Sequence, residues 1–279
     1  MHGDQLVADY LTMSKSKPIL WPLNGPGGTA MTRAYPMVAD SKDEAHDHPH
    51  HRSLWFTHGE VNGTDFWLEG GEGGITEHQK FTILESGDES AVVAARNIWE
   101  TAGGEPVLTE ERKFTFSHDK GAVILDCEFV VHATHGDVNF GDTKEGTFGI
   151  RIAESMKVDA KLGGVLTNSE GATNKDAWGK AAAWVDYVGP IGDKTMGIAI
   201  LCHPSTYNYP NRWHVRTYGL FAANPFGVHH FLKQPEPTKG VDLAEGKSFT
   251  FRYRVICHEG DTTAADIEGR NAEYAKMQL

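Results

Sequence analysis

Residues 248–260 read SFTFRYRVICHEG and alternate apolar and polar side chains along most of their length. Their apolar face carries Phe249, Phe251, Tyr253, Val255 and Cys257. Residues 122–133, AVILDCEFVVHA, repeat this alternation. A period of two is typical of a β-strand that turns one face to a core and the other to solvent. Two long strands of this kind predict an antiparallel sheet with one polar face.

The rest of the chain favours the same class of structure. Similar strands are predicted at about 75–86, 90–101, 106–118, 145–154, 180–188, 194–203 and 212–219. Glycine-rich turns separate them. Only the C-terminal segment predicts a helix, where Thr263 and Asp266 resemble a capping box. We therefore expect an all-β fold, a large antiparallel β-sandwich with a short C-terminal helix, in a single domain over residues 1–279.

Composition excludes several classes of partner. The 279 residues carry a net charge of −12, which disfavours nucleic acid and anionic membranes because both require clustered Lys and Arg. No run approaches the roughly 18 apolar residues of a membrane span. The N-terminus, MHGDQLVADY, shows no leader peptide. We expect a cytoplasmic protein as the sequence stands, or a periplasmic or secreted one if a leader was removed; the oligomeric state is left open.

The cysteines and histidines contain no recognised metal motif. Cys127, Cys202 and Cys257 are widely spaced and odd in number, so we expect buried free thiols. No H-E-x-x-H, facial-triad spacing or cysteine cluster is present. We predict no resident metal or other cofactor. The alternative is a divalent metal held by His48 or His51 together with His203 or His214 and a carboxylate.

The densest chemistry lies in residues 47–67, DHPHHRSLWFTHGEVNGTDFW. Histidine is the side chain that titrates nearest neutral pH, so this segment predicts one wall of a site. Asn62-Gly63 predicts a hairpin turn, with Trp55 and Trp67 as exposed rings that stack on a sugar. The alternative is that both indoles belong to the core. The candidate binding residues here are His48, His50, Trp55 and His58, and His51 is a candidate acid/base.

Three later segments of the chain, the second to the fourth, add candidates. In FGDTKEGTFGIRI, residues 140–152, Glu145 is a candidate general base and Arg151 a candidate anchor for a developing oxyanion. Arg33, earlier in the chain, and Arg216, later, are alternative anchors. The alternative for Glu145 and Arg151 is an ion pair across neighbouring strands. Residues 199–219 place His203 at a strand end, followed by His214 and Arg216 on one face.

The fourth segment is GLFAANPFGVHHFL, residues 219–232. Asn224 precedes a proline in a tight turn and is a candidate binding residue. His229 and His230 follow, either capping a helix or contacting a ligand.

These motifs together resemble the PmoA-like family, bacterial proteins of unassigned function. The resemblance rests on DHPHHRSLWFTHGEVNGTDFW, GDTKEGTFGIRI and the run from Trp213 to Gly227, and extends from about Pro18 to Gly260. The name methane oxygenase carried by that family resembles an inherited error, because particulate methane oxygenase subunits span membranes.

The resemblance implies a fold similar to the galactose-mutarotase superfold, and hence a carbohydrate as the small-molecule partner. In mutarotases a histidine protonates the ring oxygen and a glutamate takes the anomeric proton. By role, the resemblance implies His51 or His203 for the first function and Glu145 for the second. The chain has no N-H-x-H-G string, which weakens the epimerase interpretation.

We therefore expect a sugar-active acid/base enzyme, an epimerase, lyase or hydrolase acting on a sugar or an oxidised glycoside. Two alternatives stay open. One is a carbohydrate-binding accessory protein without turnover, and the other is a metal-dependent lyase or oxygenase.

Overall fold

The computed structural model describes residues 5–279. These residues form sixteen strands, two short α-helices and four short 3-10 helices. The strands are β1 (Ala8–Ser14), β2 (Lys17–Leu23), β3 (Leu54–His58), β4 (Ile75–Ser86), β5 (Ser90–Glu100), β6 (Pro106–Asp119), β7 (Ala122–His132), β8 (Val138–Phe140), β9 (Gly146–Arg151), β10 (Val165–Asn168), β11 (Trp184–Ile191), β12 (Lys194–Cys202), β13 (Arg212–Val215), β14 (Leu220–Asn224), β15 (Val241–Leu243) and β16 (Ser248–Glu259). The helices are α1 (His229–Leu232) and α2 (Ile267–Tyr274).

Two large antiparallel sheets dominate the fold. The six-stranded sheet has the order β1-β2-β3-β9-β14-β13, and the eight-stranded sheet the order β10-β11-β12-β16-β7-β6-β5-β4. Strands β8 and β15 form a separate pair. The expectation of an all-β antiparallel sandwich with a short C-terminal helix is confirmed.

The main core lies between the two sheets, where the alternating strands turn their apolar faces toward each other. Phe56 of β3 stacks on Phe129 of β7, with ring centroids 4.1 Å apart. Phe148 of β9 stacks on Tyr253 of β16 at 4.9 Å. Since each aromatic pair joins one sheet to the other, these contacts fix how the sheets face each other.

Each sheet also has an outer face, and the two outer faces are covered differently. On the eight-stranded sheet, α2 packs Ile267 and Tyr274 against an apolar cluster. On the six-stranded sheet, a smaller cluster built around Trp55 and Trp67 lies under the loop that contains the clustered histidines. That second outer face is where the candidate site lies.

The long alternating strands are those that the sequence predicts most closely. The expected 75–86, 90–101 and 106–118 correspond to β4, β5 and β6, whereas the expected 180–188 and 212–219 are shifted or shortened as β11 and β13. Strands β2 and β14 have no counterpart in the sequence prediction. Strand β2 contains two prolines, and every residue of β14 is buried, so neither shows alternation.

Two local predictions have different outcomes. The Asn62-Gly63 turn is confirmed, because both residues have positive φ and Val61 pairs with Thr64 around them. The capping box is wrong. Asp266 is itself the N-cap of α2, and its carboxylate accepts the backbone N–H of Gly269.

The thiols of Cys127, Cys202 and Cys257 are free and buried, as expected. Within residues 5–279, no helix is long and apolar enough to cross a membrane. The expectation of no leader peptide rests partly on residues 1–4, which lie outside the described residues.

Candidate functional site

One row of paired residues crosses the outer face of the six-stranded sheet and forms the floor of the site. Strand pairing places Ile19, Trp55, Gly149, Ala222 and His214 side by side, one from each successive strand. The inner neighbours Phe148 and Ile150 belong to the core, so side chains alternating with them face outward. Gly149 and Ala222 are small, so they leave room for the indole ring of Trp55.

The loop that contains the clustered histidines is held over this floor by Arg33. The guanidinium is buried and donates to the backbone carbonyls of Tyr35, Ala45, Asp47 and His48. It also donates to the carboxylate of Asp47 at 2.5 Å. All three of its nitrogens are therefore engaged. The expectation that Arg33 binds substrate or an oxyanion is corrected: it fixes the shape of the loop.

Arg151 holds the same loop from below. Its Nη1 donates to Nδ1 of His51 at 3.1 Å and its Nη2 to Asp47 at 2.8 Å. Burial lowers the pKa of this guanidinium, and the neighbouring Arg33 adds to that effect. Arg151 is 1% exposed, so its expected role as an oxyanion anchor is also corrected.

Asp47 and His48 form a carboxylate–imidazole pair at the surface of the loop. Nδ1 of His48 lies 3.1 Å from Oδ2 of Asp47, while the other carboxylate oxygen accepts from both arginines. Burial acts to raise the pKa of Asp47, but Arg151, Arg33 and His48 outweigh it, so the pKa lies below its ordinary value. With Nδ1 facing the carboxylate, Nε2 of His48 is the nitrogen left for a ligand.

The His48 ring is also fixed by stacking. It lies parallel to His51 at 4.8 Å and to Tyr218 at 5.0 Å, and its side chain is 40% exposed. A half-exposed imidazole with a defined orientation can transfer protons to a bound molecule.

His51 lies beneath this surface. It stacks on Trp55 at 5.4 Å, and only 1% of it is exposed. Burial lowers its pKa well below the ordinary value, and His50 and Arg151 add to this, so the ring stays neutral. Its expected catalytic role therefore does not fit its position. The prediction of exposed tryptophans is wrong, because Trp55 and Trp67 are 1% and 0% exposed.

Glu145 lies just before β9 on the same outer face and is half-buried. It forms an ion pair with Lys144 and interacts electrostatically with His214 and His50. Burial acts to raise its pKa, but His214, Lys144 and His50 lower it more, so the carboxyl is ionised near neutral pH. This is the charge state that a general base requires.

His214 and Asn224 position the segment that carries Glu145. Nδ1 of His214 donates to the carbonyl of Lys144 at 2.8 Å, and Nδ2 of Asn224 donates to the carbonyls of Thr143 and Lys144. Burial lowers the pKa of His214 to about 4, so its ring is neutral. The amide of Asn224 is fully used within the protein, since its oxygen accepts two backbone N–H groups. Its expected binding role is corrected to a positioning one.

His50 is a neighbour of both half-exposed groups, His48 and Glu145. Its ring contacts those of His48 and His51 edge-on, at 5.7 Å and 4.4 Å, and it interacts with Glu145. Burial lowers its pKa to about 4, and the charge of Lys17 adds to this.

His58 and His203 lie apart from this cluster. His58 is sealed inside, with its ring nitrogens facing the carbonyl of Gly141 and the hydroxyl of Thr147. His203 contacts Met277 and Tyr274 of the C-terminal segment, which packs on the opposite outer face of the sandwich. Neither can act with His48 on one ligand. The expected binding role of His58 and the expected acid/base role of His203 are therefore corrected.

The structure adds Asp47, Lys144 and Tyr218, which are not among the predicted site residues. Each is a close neighbour of a predicted residue, namely His48, Glu145 and Arg216. Their adjacency along the chain is the signal that could have identified them. Among residues 5–279, no group of three His, Cys, Asp or Glu side chains is placed to hold a metal ion. This finding covers both versions of the long-range metal set: His203 lies on the far side, and His48 or His51 forms no such group with His214 and a carboxylate in the described part of the chain.

Comparisons with known proteins give a family and two structural likenesses. A family described as of unknown function, DUF6807, matches residues 1–271. No curated protein matches significantly. The GH36 α-galactosidase AgaA from Geobacillus stearothermophilus is similar in structure, with a TM-score of 0.47 and 10% identity over 92% of this chain and 40% of that one.

A galactose mutarotase-like protein from Lactobacillus casei ATCC 334 is similar with a TM-score of 0.36 and 8% identity, over 72% of this chain and 83% of that one. The chain thus spans about two fifths of the length of AgaA. At such scores these likenesses support no inference about activity.

Proposed function

We propose a function for this chain, which belongs to DUF6807, a family described as of unknown function. The function is acid/base catalysis on a carbohydrate bound at the outer face of the six-stranded sheet, with His48 and Glu145 as the proton-transferring pair. The resemblance to the PmoA-like bacterial proteins is part of the same proposal.

One observation carries the proposal. Two half-exposed titratable side chains lie on one face, and each is held by a separate buried polar network. His48 is oriented by Asp47, Arg33 and Arg151, and Glu145 by the segment that His214 and Asn224 hold. Such support is the usual condition for a catalytic pair, because proton transfer depends on geometry before pKa.

The two groups suit opposite roles. Glu145 is ionised at neutral pH and accepts a proton from a sugar carbon or hydroxyl. His48, when protonated, donates through Nε2 to the ring oxygen or the leaving oxygen, and the carboxylate of Asp47 stabilises the imidazolium. The ring of Tyr218, half-buried beside His48, stacks on the imidazole and helps to fix the orientation of Nε2.

The test is proton exchange in D₂O. Purified protein is incubated with a panel of monosaccharides and methyl glycosides, and ¹H NMR records loss of C–H signals and appearance of new products. We expect exchange or turnover with at least one sugar, reduced about 100-fold or more in both His48→Asn and Glu145→Gln. His203→Asn, which removes an imidazole on the opposite face, serves as the matched control and keeps full activity.

Exchange that persists in both site variants would refute the assignment of the pair. Binding of a sugar by saturation-transfer NMR without any exchange or product would support the non-catalytic carbohydrate-binding alternative instead. Circular dichroism of each variant separates loss of activity from loss of folding.

A further inference from the structure

We infer that the substrate is a sugar bearing a carboxylate and that Arg216 binds that carboxylate. This inference rests on the proposed function and names the class of molecule that the same site takes.

Arg216 differs from the other arginines because, within residues 5–279, its side chain has no hydrogen-bond or ion-pair partner. The chain has ten arginines. Eight pair with carboxylates: Arg33, Arg52, Arg96, Arg112, Arg151, Arg252, Arg254 and Arg270. Arg212 donates to the carbonyl of Gly179. Within residues 5–279 the exposed guanidinium of Arg216 makes no hydrogen bond or ion pair, and its one contact is with a ring.

That contact places the free guanidinium inside the site. It lies over the ring of Tyr218, 5.6 Å from the centroid, and the same ring stacks on His48. Arg216 follows directly after β13, two residues beyond His214, and the charge of Arg216 acts on His214. A stacked guanidinium keeps its planar set of donors free and pre-oriented, which suits two parallel hydrogen bonds to a carboxylate.

The local charge favours an anion although the whole chain carries −12. The single negative charge of Asp47 faces both Arg33 and Arg151, and Glu145 is paired with Lys144. Arg216 then adds a positive charge, and no carboxylate among residues 5–279 forms an ion pair with it. Positive charge concentrated on one face of an acidic protein attracts anionic ligands selectively.

A carboxylate bound here also defines which proton can be removed. When the carboxylate of Glu145 takes the proton on the carbon next to the substrate carboxylate, the electron pair of the C–H bond moves into that carboxylate and forms an enediolate. Arg216 stabilises this second negative charge. The electron pair then either returns to the carbon, which takes a proton from protonated His48, or expels the oxygen on the next carbon, which takes that proton instead.

The experiment compares matched sugars that differ only in the carboxylate: glucuronate with glucose, and galacturonate with galactose. Binding is measured by calorimetry and exchange of the proton next to the carboxylate by ¹H NMR in D₂O. We expect each acid to bind at least about tenfold more tightly than its neutral partner. Arg216→Gln removes that difference, whereas Arg216→Lys restores part of it.

Arg96→Gln is the charge-matched control, because Arg96 is an exposed arginine on the eight-stranded sheet. It leaves the preference intact. Equal binding of acids and neutral sugars would overturn this inference and leave the proposed function standing. A preference for acids that survives in Arg216→Gln would also overturn it. Failure of every sugar to bind would overturn both proposals.

Discussion

At the scale of single residues, Asp47 links two buried arginines of the site to His48. One of its oxygens accepts from two buried guanidiniums and the other faces His48. Hydrogen bonds to charged groups are stronger than neutral ones, and a buried charge without a partner is costly. Asp47 therefore supports both the loop and the orientation of the imidazole that we propose as acid/base.

We predict that Asp47→Asn lowers the free energy of unfolding by about 2 kcal/mol, because Arg33 and Arg151 lose their shared anion. The variant also loses sugar turnover, although Glu145 itself is unchanged, because His48 is no longer held in place. Urea denaturation and the D₂O exchange assay check the two effects. Asp40→Asn, an exposed carboxylate in the same part of the chain, is the control and changes neither. An Asn variant as stable and active as the parent would contradict this account.

At the scale of elements, strand β9 provides the space that the site needs. Gly149 lies opposite Trp55 in the pairing with β3, and the indole ring crosses directly over it. A Cβ atom at this position would come within 2.7 Å of the Trp55 ring. That distance is far below ordinary van der Waals contact, so the ring would have to move.

We predict that Gly149→Ala destabilises the protein by about 2 kcal/mol and weakens ligand binding, because Trp55 supports His51 and, through it, His48. Thermal unfolding and sugar titration measure the two effects. In Gly103→Ala the new methyl group meets no atom nearer than 3.6 Å, so this control stays close to the parent. Equal behaviour of the two variants would show that Trp55 has room to shift.

At the scale of the whole molecule, buried neutral imidazoles make stability depend on pH. Burial lowers the pKa of His58 and His214 to about 4, against 6.5 for the ordinary side chain. Between these values the unfolded chain binds protons that the folded chain does not. The stabilisation is therefore complete above about pH 6.5 and is lost as the pH falls toward about 4.

We predict that urea denaturation at about pH 5 gives a free energy of unfolding several kcal/mol lower than at about pH 7, with about 2 kcal/mol from each of these two histidines. His214→Gln cannot titrate, so its stability should depend less on pH. His135→Gln, which changes an exposed residue, should keep the dependence of the parent. A parent protein equally stable at both pH values would rule out the buried neutral imidazoles.

The sequence predicts the fold better than the site, for a physical reason. Alternation identifies strands with one buried face, such as β7 and β16, but β3 is buried on both faces and shows no such pattern. The structure brings the histidine loop and Glu145 to one outer face, and that this face is a functional site stays a proposal. What sequence could not show is depth: Arg33, His51 and Trp55 lie in or beside the histidine loop, yet they support the surface from beneath. The single domain over residues 1–279 stays a prediction.

The paired indoles of Trp55 and Trp67, 5.1 Å apart under His51, have a practical consequence. Indole emission responds to the charge and polarity of its immediate neighbours. Any molecule that settles on the histidine loop should therefore alter the intrinsic fluorescence of the protein without an added dye. The difference spectrum between the parent and Trp55→Phe would isolate that signal and turn it into a rapid optical screen for unknown ligands.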